Sequence, residues 1–298
     1  MTANREKTTM RSMLFCPADN GKLVKKAATS SADCIVLDLE DAIPEKNKKN
    51  ARTKCRNYLE SAPFANRNVL VRFNPPESGY TLEDIDTVAC ENLNGFVYPK
   101  ANKAEDIFAF DSLLKKKEEE LGLVTGHFML IVLMETPESI FNALEIAQAS
   151  SRIKGLLFGC EDFLAEMEGD HGPDGRSILV PRHLVSMACR AAGIKPIDTP
   201  YVKVHDYDGL RDHIHQAREL GYEGMLVLTP KQLEIAHELY TPSIKEVAAS
   251  EEMVELSEKA AEKGHGIIVS NDVFVSPPTL KRAQKILKRY NTIKKQRS

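Results

Sequence analysis

Two carboxylates in this chain stand just past short apolar runs. Glu135 directly follows the run 127–134, and Asp162 follows 156–158 after Gly159-Cys160-Glu161. A pair of carboxylates suits Mg2+, which takes octahedral oxygen ligands and leaves part of its shell to water or substrate oxygens. A 2-oxo acid would fill two such positions. The same residues would equally serve as helix caps, Glu135 before the helix starting near Pro137 and Asp162 before the next segment. Arg72, in Val71-Arg72-Phe73-Asn74, sits in an apolar run, where a guanidinium is costly to bury alone. A substrate carboxylate would match its fork bidentately; so would an internal carboxylate such as Glu40. Arg11, ahead of the first apolar run, is a second candidate for that role. Glu40 and Asp41 end the stretch Asp38-Leu39-Glu40-Asp41 and are placed to orient neighbouring ligand-binding groups. Lys22, Lys25 and Lys26 follow the first run and suit either a phosphorylated ligand or a solvated helix face.

These residues need a scaffold that gathers strand ends. Apolar runs at 12–16, 34–39, 68–73, 95–98, 128–134, 155–158, 201–204 and 225–228 are mostly continuous rather than alternating. That is the pattern of parallel strands covered on both faces. Helical patterns at 21–30, 45–61, 82–91, 103–121, 138–149, 181–192, 208–220 and 231–239 separate them. Eight strand–helix repeats predict a (β/α)8 TIM barrel, in which reactive groups collect at the C-terminal strand ends. A doubly wound open sheet is the alternative; it would open on a Gly-rich turn, whereas the first turn here reads Pro17-Ala18-Asp19-Asn20-Gly21. The barrel is expected over residues 1–240. A C-terminal helical extension, 241–298, would pack on the barrel or on a neighbouring subunit, with helices at 244–263 and 277–295 and an extended stretch at 264–275.

Composition limits the function classes. A net charge of −3 argues against a general nucleic-acid or membrane-surface binder. The first eleven residues are polar and lack a secretory hydrophobic segment. The six cysteines form no C-x-x-C pair, which disfavours a zinc ribbon and fits reduced thiols in the cytoplasm. The eight histidines show no H-x-x-x-H spacing, and none is assigned to metal. The basic tail, 281–297, has few interleaved aromatics and reads as an exposed helix face.

Six ordered motifs carry a resemblance. They are Arg11-Ser12-Met13-Leu14-Phe15-Cys16-Pro17, Asp38-Leu39-Glu40-Asp41-Ala42, Val71-Arg72-Phe73-Asn74, Tyr98-Pro99-Lys100, Met134-Glu135-Thr136-Pro137 and Phe158-Gly159-Cys160-Glu161-Asp162-Phe163. Together they resemble the citrate lyase beta-subunit-like (CitE-like) proteins of the HpcH/HpaI aldolase superfamily, from about Arg11 to the C-terminal helix. The resemblance implies a TIM barrel assembled as homotrimers or hexamers. It implies Mg2+ as cofactor, held by Glu135 and Asp162, with Arg72 on the substrate. It places coenzyme A at Phe15, Lys22 and Lys26, and it implies cleavage or formation of carbon–carbon bonds in citryl-, citramalyl- or malyl-CoA type molecules.

Two segments depart from the family. Active relatives carry an Asp in a C-terminal M-[VI]-D-x-P segment; this chain reads Phe274-Val275-Ser276-Pro277-Pro278. A serine hydroxyl is a poor general base unless activated, and Asp272 would lie roughly 13 Å away along an extended segment. Many relatives read G-K-x-x-I-H-P where this chain has Gly224-Met225-Leu226-Val227-Leu228-Thr229-Pro230. The leading expectation is a Mg2+-dependent carbon–carbon lyase or aldolase. A malyl-CoA-type thioesterase and a non-catalytic 2-oxo acid or CoA-binding homologue are the alternatives.

Overall fold

The computed structural model describes residues 9–61, 64, 67–172, 174–262, 268–270 and 273–297. The chain divides into two compact units, Met10–Ala236 and Met1–Thr9 with His237–Ser298. In the larger unit eight parallel strands close into a barrel in chain order. They are β1 (Ser12–Pro17), β2 (Cys34–Asp38), β3 (Val69–Arg72), β4 (Gly95–Tyr98), β5 (Met129–Met134), β6 (Ile153–Phe158), β7 (Lys195–Asp198) and β8 (Gly224–Val227). Closure is made where Ser12 pairs with Met225. Helices α1 (Gly21–Thr29), α2 (Lys48–Leu59), α3 (Thr81–Val88), α4 (Ala104–Glu120), α5 (Pro137–Phe141), α6 (Ala143–Gln148), α7 (Cys160–Glu166), α8 (Arg176–Ala192) and α9 (Tyr207–Glu219) connect the strands. The helix α10 (Pro230–Tyr240) runs across the division between the units. This is the (β/α)8 architecture that the apolar runs imply.

Alternation within each strand decides what faces inward. Met13, Cys34, Val36, Leu70, Val97, Met129, Ile131, Leu133, Leu157 and Ile197 form one buried cluster, with Phe15 and Leu226 packed against it. The intervening residues serve the helix layer. Phe96 and Tyr98 of β4 meet Phe110 of α4 edge-on, at centroid distances of 6.0 and 5.1 Å. Such aromatic contacts add to the area they bury. Between β5 and β6 the register shifts. Leu130 pairs with Ile153 and Ile131 with Gly155, which leaves Lys154 as an extra residue.

The seventh strand corrects the sequence reading. It is Lys195–Asp198, and 201–204 is a connection beyond its end. Lys195-Pro196-Ile197-Asp198 looks unlike a strand because proline lacks a ladder donor. Here Ile197 and Asp198 are fully buried nonetheless, and Asp198 binds Arg182 of α8 in a buried ion pair. Two helices also differ from the expected pattern. Gln148 ends a helical stretch broken at Asn142, and α8 starts five residues before Pro181.

The smaller unit contains α11 (Ile244–Glu262), packed on α12 (Pro277–Arg297), and an antiparallel pair, β9 (Ile268–Ser270) with β10 (Val273–Val275). Ser276 begins α12: its carbonyl accepts from the Leu280 N–H at 2.9 Å, and its own N–H donates to Thr279 Oγ1 at 2.8 Å. Asp272 lies outside the described residues. Among the described residues no helix is long and apolar enough to cross a membrane, and all six cysteines are buried and free.

Candidate active site

The barrel interior turns polar at its C-terminal rim. Continuing the inward alternation past Val36 reaches Asp38, past Leu70 reaches Arg72, and past Leu133 reaches Glu135. Arg72 lies over the ring of Phe15, its guanidinium carbon 5.5 Å from the centroid. Its Nε and Nη2 donate to the two oxygens of Asp38, both at 2.7 Å. Its Nη1 faces Glu40 at 2.9 Å and Asp41 at 3.1 Å. Burial alone would lower the pKa of this guanidinium, but Asp38, Glu40 and Asp41 raise it. The internal-carboxylate alternative therefore describes the arrangement, with Asp38 as the main partner. Every guanidinium nitrogen already faces a carboxylate, and Asp41, on Nη1, is the exposed partner among them.

Glu135 is 2% exposed, and its Oε1 accepts from the backbone N–H of Lys100 at 2.9 Å. Lys100 takes the left-handed conformation, φ 51°, uncommon for a residue with a side chain. Its ammonium lies 4.0 Å from Glu40. Glu135 does not cap α5; Thr136 does, accepting from Ser139 N–H at 3.0 Å. Nor is Asp162 a cap. Gly159 occupies the N-cap of α7, so Asp162 is the third helical residue, in the first turn. The cap alternatives thus fall away for both carboxylates.

Electrostatics sets these carboxylates against one another. Burial first, then the charge of Asp162, pushes Glu135 up to about 7. Burial pushes Glu40 up to about 8; Arg72 pulls it back, while Asp41, Glu135 and Asp38 push it further. Both Glu40 oxygens are buried, and their charge contacts with Arg72 (Oε2) and Lys100 (Oε1) lack hydrogen-bond geometry. Gly159 is hollowed out against Glu135: a Cβ there would lie 2.8 Å from Glu135 Cβ and 2.9 Å from Oε2. Crowded carboxylates with unsatisfied oxygens are high in energy alone. A hard divalent cation on Glu135 and Asp162 would relieve them, and an all-oxygen donor pair fits Mg2+.

Phe15 lies against Arg72, whereas Arg11 stands apart from this cluster. Arg11 is a correction. It stands at the entry to β1, the end of the barrel away from the carboxylates, and holds Asp33 through Nε at 2.8 Å and Nη2 at 2.6 Å. A residue so engaged at the N-terminal end cannot bind a ligand at the C-terminal rim. Lys22 and Lys26 are exposed on α1. Met225 is buried in β8 and Thr229 Oγ1 accepts from Gln232 N–H at the start of α10, so neither stands in for the missing Lys and His. Sequence reasoning gave no role to Lys100 or Gly159. A glycine between a strand and a helix is a readable signal; a lysine in the left-handed region leaves none.

A family model described as HpcH/HpaI aldolase/citrate lyase matches residues 11–230. The citrate lyase subunit beta of Leuconostoc mesenteroides subsp. cremoris is 31% identical over 281 residues, covering 94% of this chain and 93% of that protein. A (3S)-malyl-CoA thioesterase of Cereibacter sphaeroides is 29% identical, with 89% of each chain covered. Among solved structures, the citrate lyase beta subunit of M. tuberculosis complexed with oxaloacetate and magnesium superposes with a TM-score of 0.66 at 26% identity, covering 80% of this chain and 100% of that one.

Proposed function

The chain belongs to the HpcH/HpaI aldolase/citrate lyase family and is a lyase, and from that premise we propose that it cleaves or forms a carbon–carbon bond in a 2-oxo or 2-hydroxy acid carried as a CoA ester, with Mg2+. The observation that carries this reading is the buried Glu135, crowded by Asp162 and seated against Gly159. Glu135 and Asp162 would hold the ion. When bound, Mg2+ supplies Lewis-acid stabilisation of charge developing on the oxygen beside the substrate carboxylate. Lys100 N–H fixes one oxygen of Glu135. The Nη1 edge of Arg72 receives the substrate carboxylate as Asp41 swings into solvent, while Asp38 keeps the guanidinium in plane. Phe15, Lys22 and Lys26 are the proposed coenzyme A contacts, the lysines acting as point charges on phosphate. Relatives named as citrate lyase subunits and as a malyl-CoA thioesterase both support a CoA ester.

Citramalyl-CoA, malyl-CoA and citryl-CoA, each incubated with the protein with and without Mg2+, test the proposal. A Mg2+-dependent oxo acid plus a shortened acyl-CoA is the expected product pair. The likeness to a thioesterase, with Ser276 where active lyases carry Asp, favours one second reading. Free thiol released without glyoxylate or pyruvate would establish it. No Mg2+-dependent product of either kind would refute both.

A further inference from the structure

We propose that Cys160, Glu161 and His171 form a second metal site of different chemistry, one that takes a thiophilic divalent ion of the Zn2+ class. The Sγ, carboxylate and imidazole ligand atoms of these three residues all lie within 4.8 Å of one another. Cys160 Sγ is 3.5 Å from Glu161 Oε1, and His171 Nε2 is 2.8 Å from the same oxygen. Ligand atoms around a tetrahedral Zn2+ stand about 3.4 Å apart at its usual bond lengths. The Sγ–Oε1 separation is already near that value; the 2.8 Å Nε2–Oε1 hydrogen bond must open and the remaining Sγ–imidazole separation must close, by rotation of side chains that are 53% (Glu161) and 45% (His171) exposed.

The backbone explains why residues eleven apart meet. Cys160 and Glu161 open α7 directly after Gly159. The Cys160 N–H donates to Thr199 Oγ1 at 3.1 Å, which fixes the position from which the thiol projects. At its other end α7 closes with paired reverse bonds, Gly169 N–H to Leu164 O at 2.9 Å and Glu168 N–H to Ala165 O at 3.2 Å. Glu168 there takes φ 51°, the left-handed position of a Schellman cap usually held by glycine. The chain is thereby turned back along the helix, and His171 returns to its first turn.

The donor set sets this place apart from Glu135 and Asp162. Those two offer only carboxylate oxygen, the choice of Mg2+. Sulfur, imidazole and one carboxylate match the softer ions, with a fourth position left for water. Coordination displaces the thiol proton to solvent. The inference stands on this geometry alone and does not depend on the reaction proposed above.

Co2+ is the probe, titrated into the whole protein in excess Mg2+ so that the oxygen site is filled. The expected result is a near-ultraviolet thiolate-to-Co2+ charge-transfer band that saturates at one equivalent and is displaced by Zn2+. Cys160→Ser abolishes the band. His171→Gln, at an exposed position that leaves folding intact, weakens Co2+ binding at least about tenfold, and Glu135→Ala leaves the band in place. A wild-type protein without the band, a band that survives in Cys160→Ser, or unchanged affinity in His171→Gln overturns the proposal and leaves an ordinary Glu161–His171 hydrogen bond beside a buried thiol.

Discussion

Replacing Gly159 by alanine should disable the proposed ion site by moving Glu135. Its backbone, φ −105° and ψ 94°, suits any residue, so the penalty is space and not strain. The added Cβ would lie 2.8 Å from Glu135 Cβ, an atom tethered to the end of β5. Carbon atoms prefer about 3.5–4.0 Å, so the two elements must part by roughly 0.7–1.2 Å. Overpacking of this size costs about 1–3 kcal/mol, and the midpoint of thermal unfolding should fall by roughly 2–10 °C. The functional loss should be larger. A displacement of about 1 Å in a positioned group costs on the order of 100-fold, and Glu135 carries half of the protein donor pair. Titration calorimetry with Mg2+ reads the first effect and scanning calorimetry the second. A variant with wild-type Mg2+ affinity and an unshifted midpoint would show that Gly159 is not the cradle.

The remaining expectations concern charge. Glu135→Ala and Asp162→Ala should each abolish tight Mg2+ binding while the barrel stays folded, because Mg2+ with one protein carboxylate reverts to water ligands; unchanged calorimetric affinity in either would count against the pair. Glu40, raised to about 8, binds its proton more tightly folded than unfolded. Its stabilising contribution is therefore present below the ordinary carboxyl range and lost as pH rises through about 8. Glu40→Gln should accordingly gain stability over wild type between pH 5 and pH 9, by roughly 2–5 kcal/mol, in metal-free urea unfolding; a difference that does not change with pH would remove the basis for calling Glu40 a strained carboxylate. Lys22→Ala with Lys26→Ala should weaken binding of a CoA ester more than of a free 2-oxo acid, and the difference should shrink at high salt. Equal weakening of both ligands would leave these lysines no phosphate role.

The barrel was legible because parallel strands buried on both faces leave continuous apolar runs, and seven of the eight expected runs overlap their strands. The exception, at β7, follows from Pro196, whose missing N–H disguises a strand that needs few ladder bonds at its start. That Glu135 and Asp162 come near one another could be expected because a barrel brings strand ends together. What Arg72 holds could not be read, since any of several carboxylates satisfies a guanidinium and only the register of β2 against β3 sets Asp38 beside it. Lys100 stayed silent for a different reason. Its contribution to Glu135 is a backbone N–H, which every residue but proline possesses.

The extra residue in β6 gives the barrel a tolerance for changes in chain length that its neighbours lack. Lys154 absorbs one residue between Ile153, paired with Leu130, and Gly155, paired with Ile131. Deleting it would leave every later pairing of β6 as it stands. A deletion between Gly155 and Phe158 has no such slack. It would turn the rest of the strand over, because side chains alternate with period two, and would present Cys160 where Gly159 now makes room for Glu135. One residue can thus be spared at the foot of β6, while its last four positions are fixed in number by the carboxylate they accommodate.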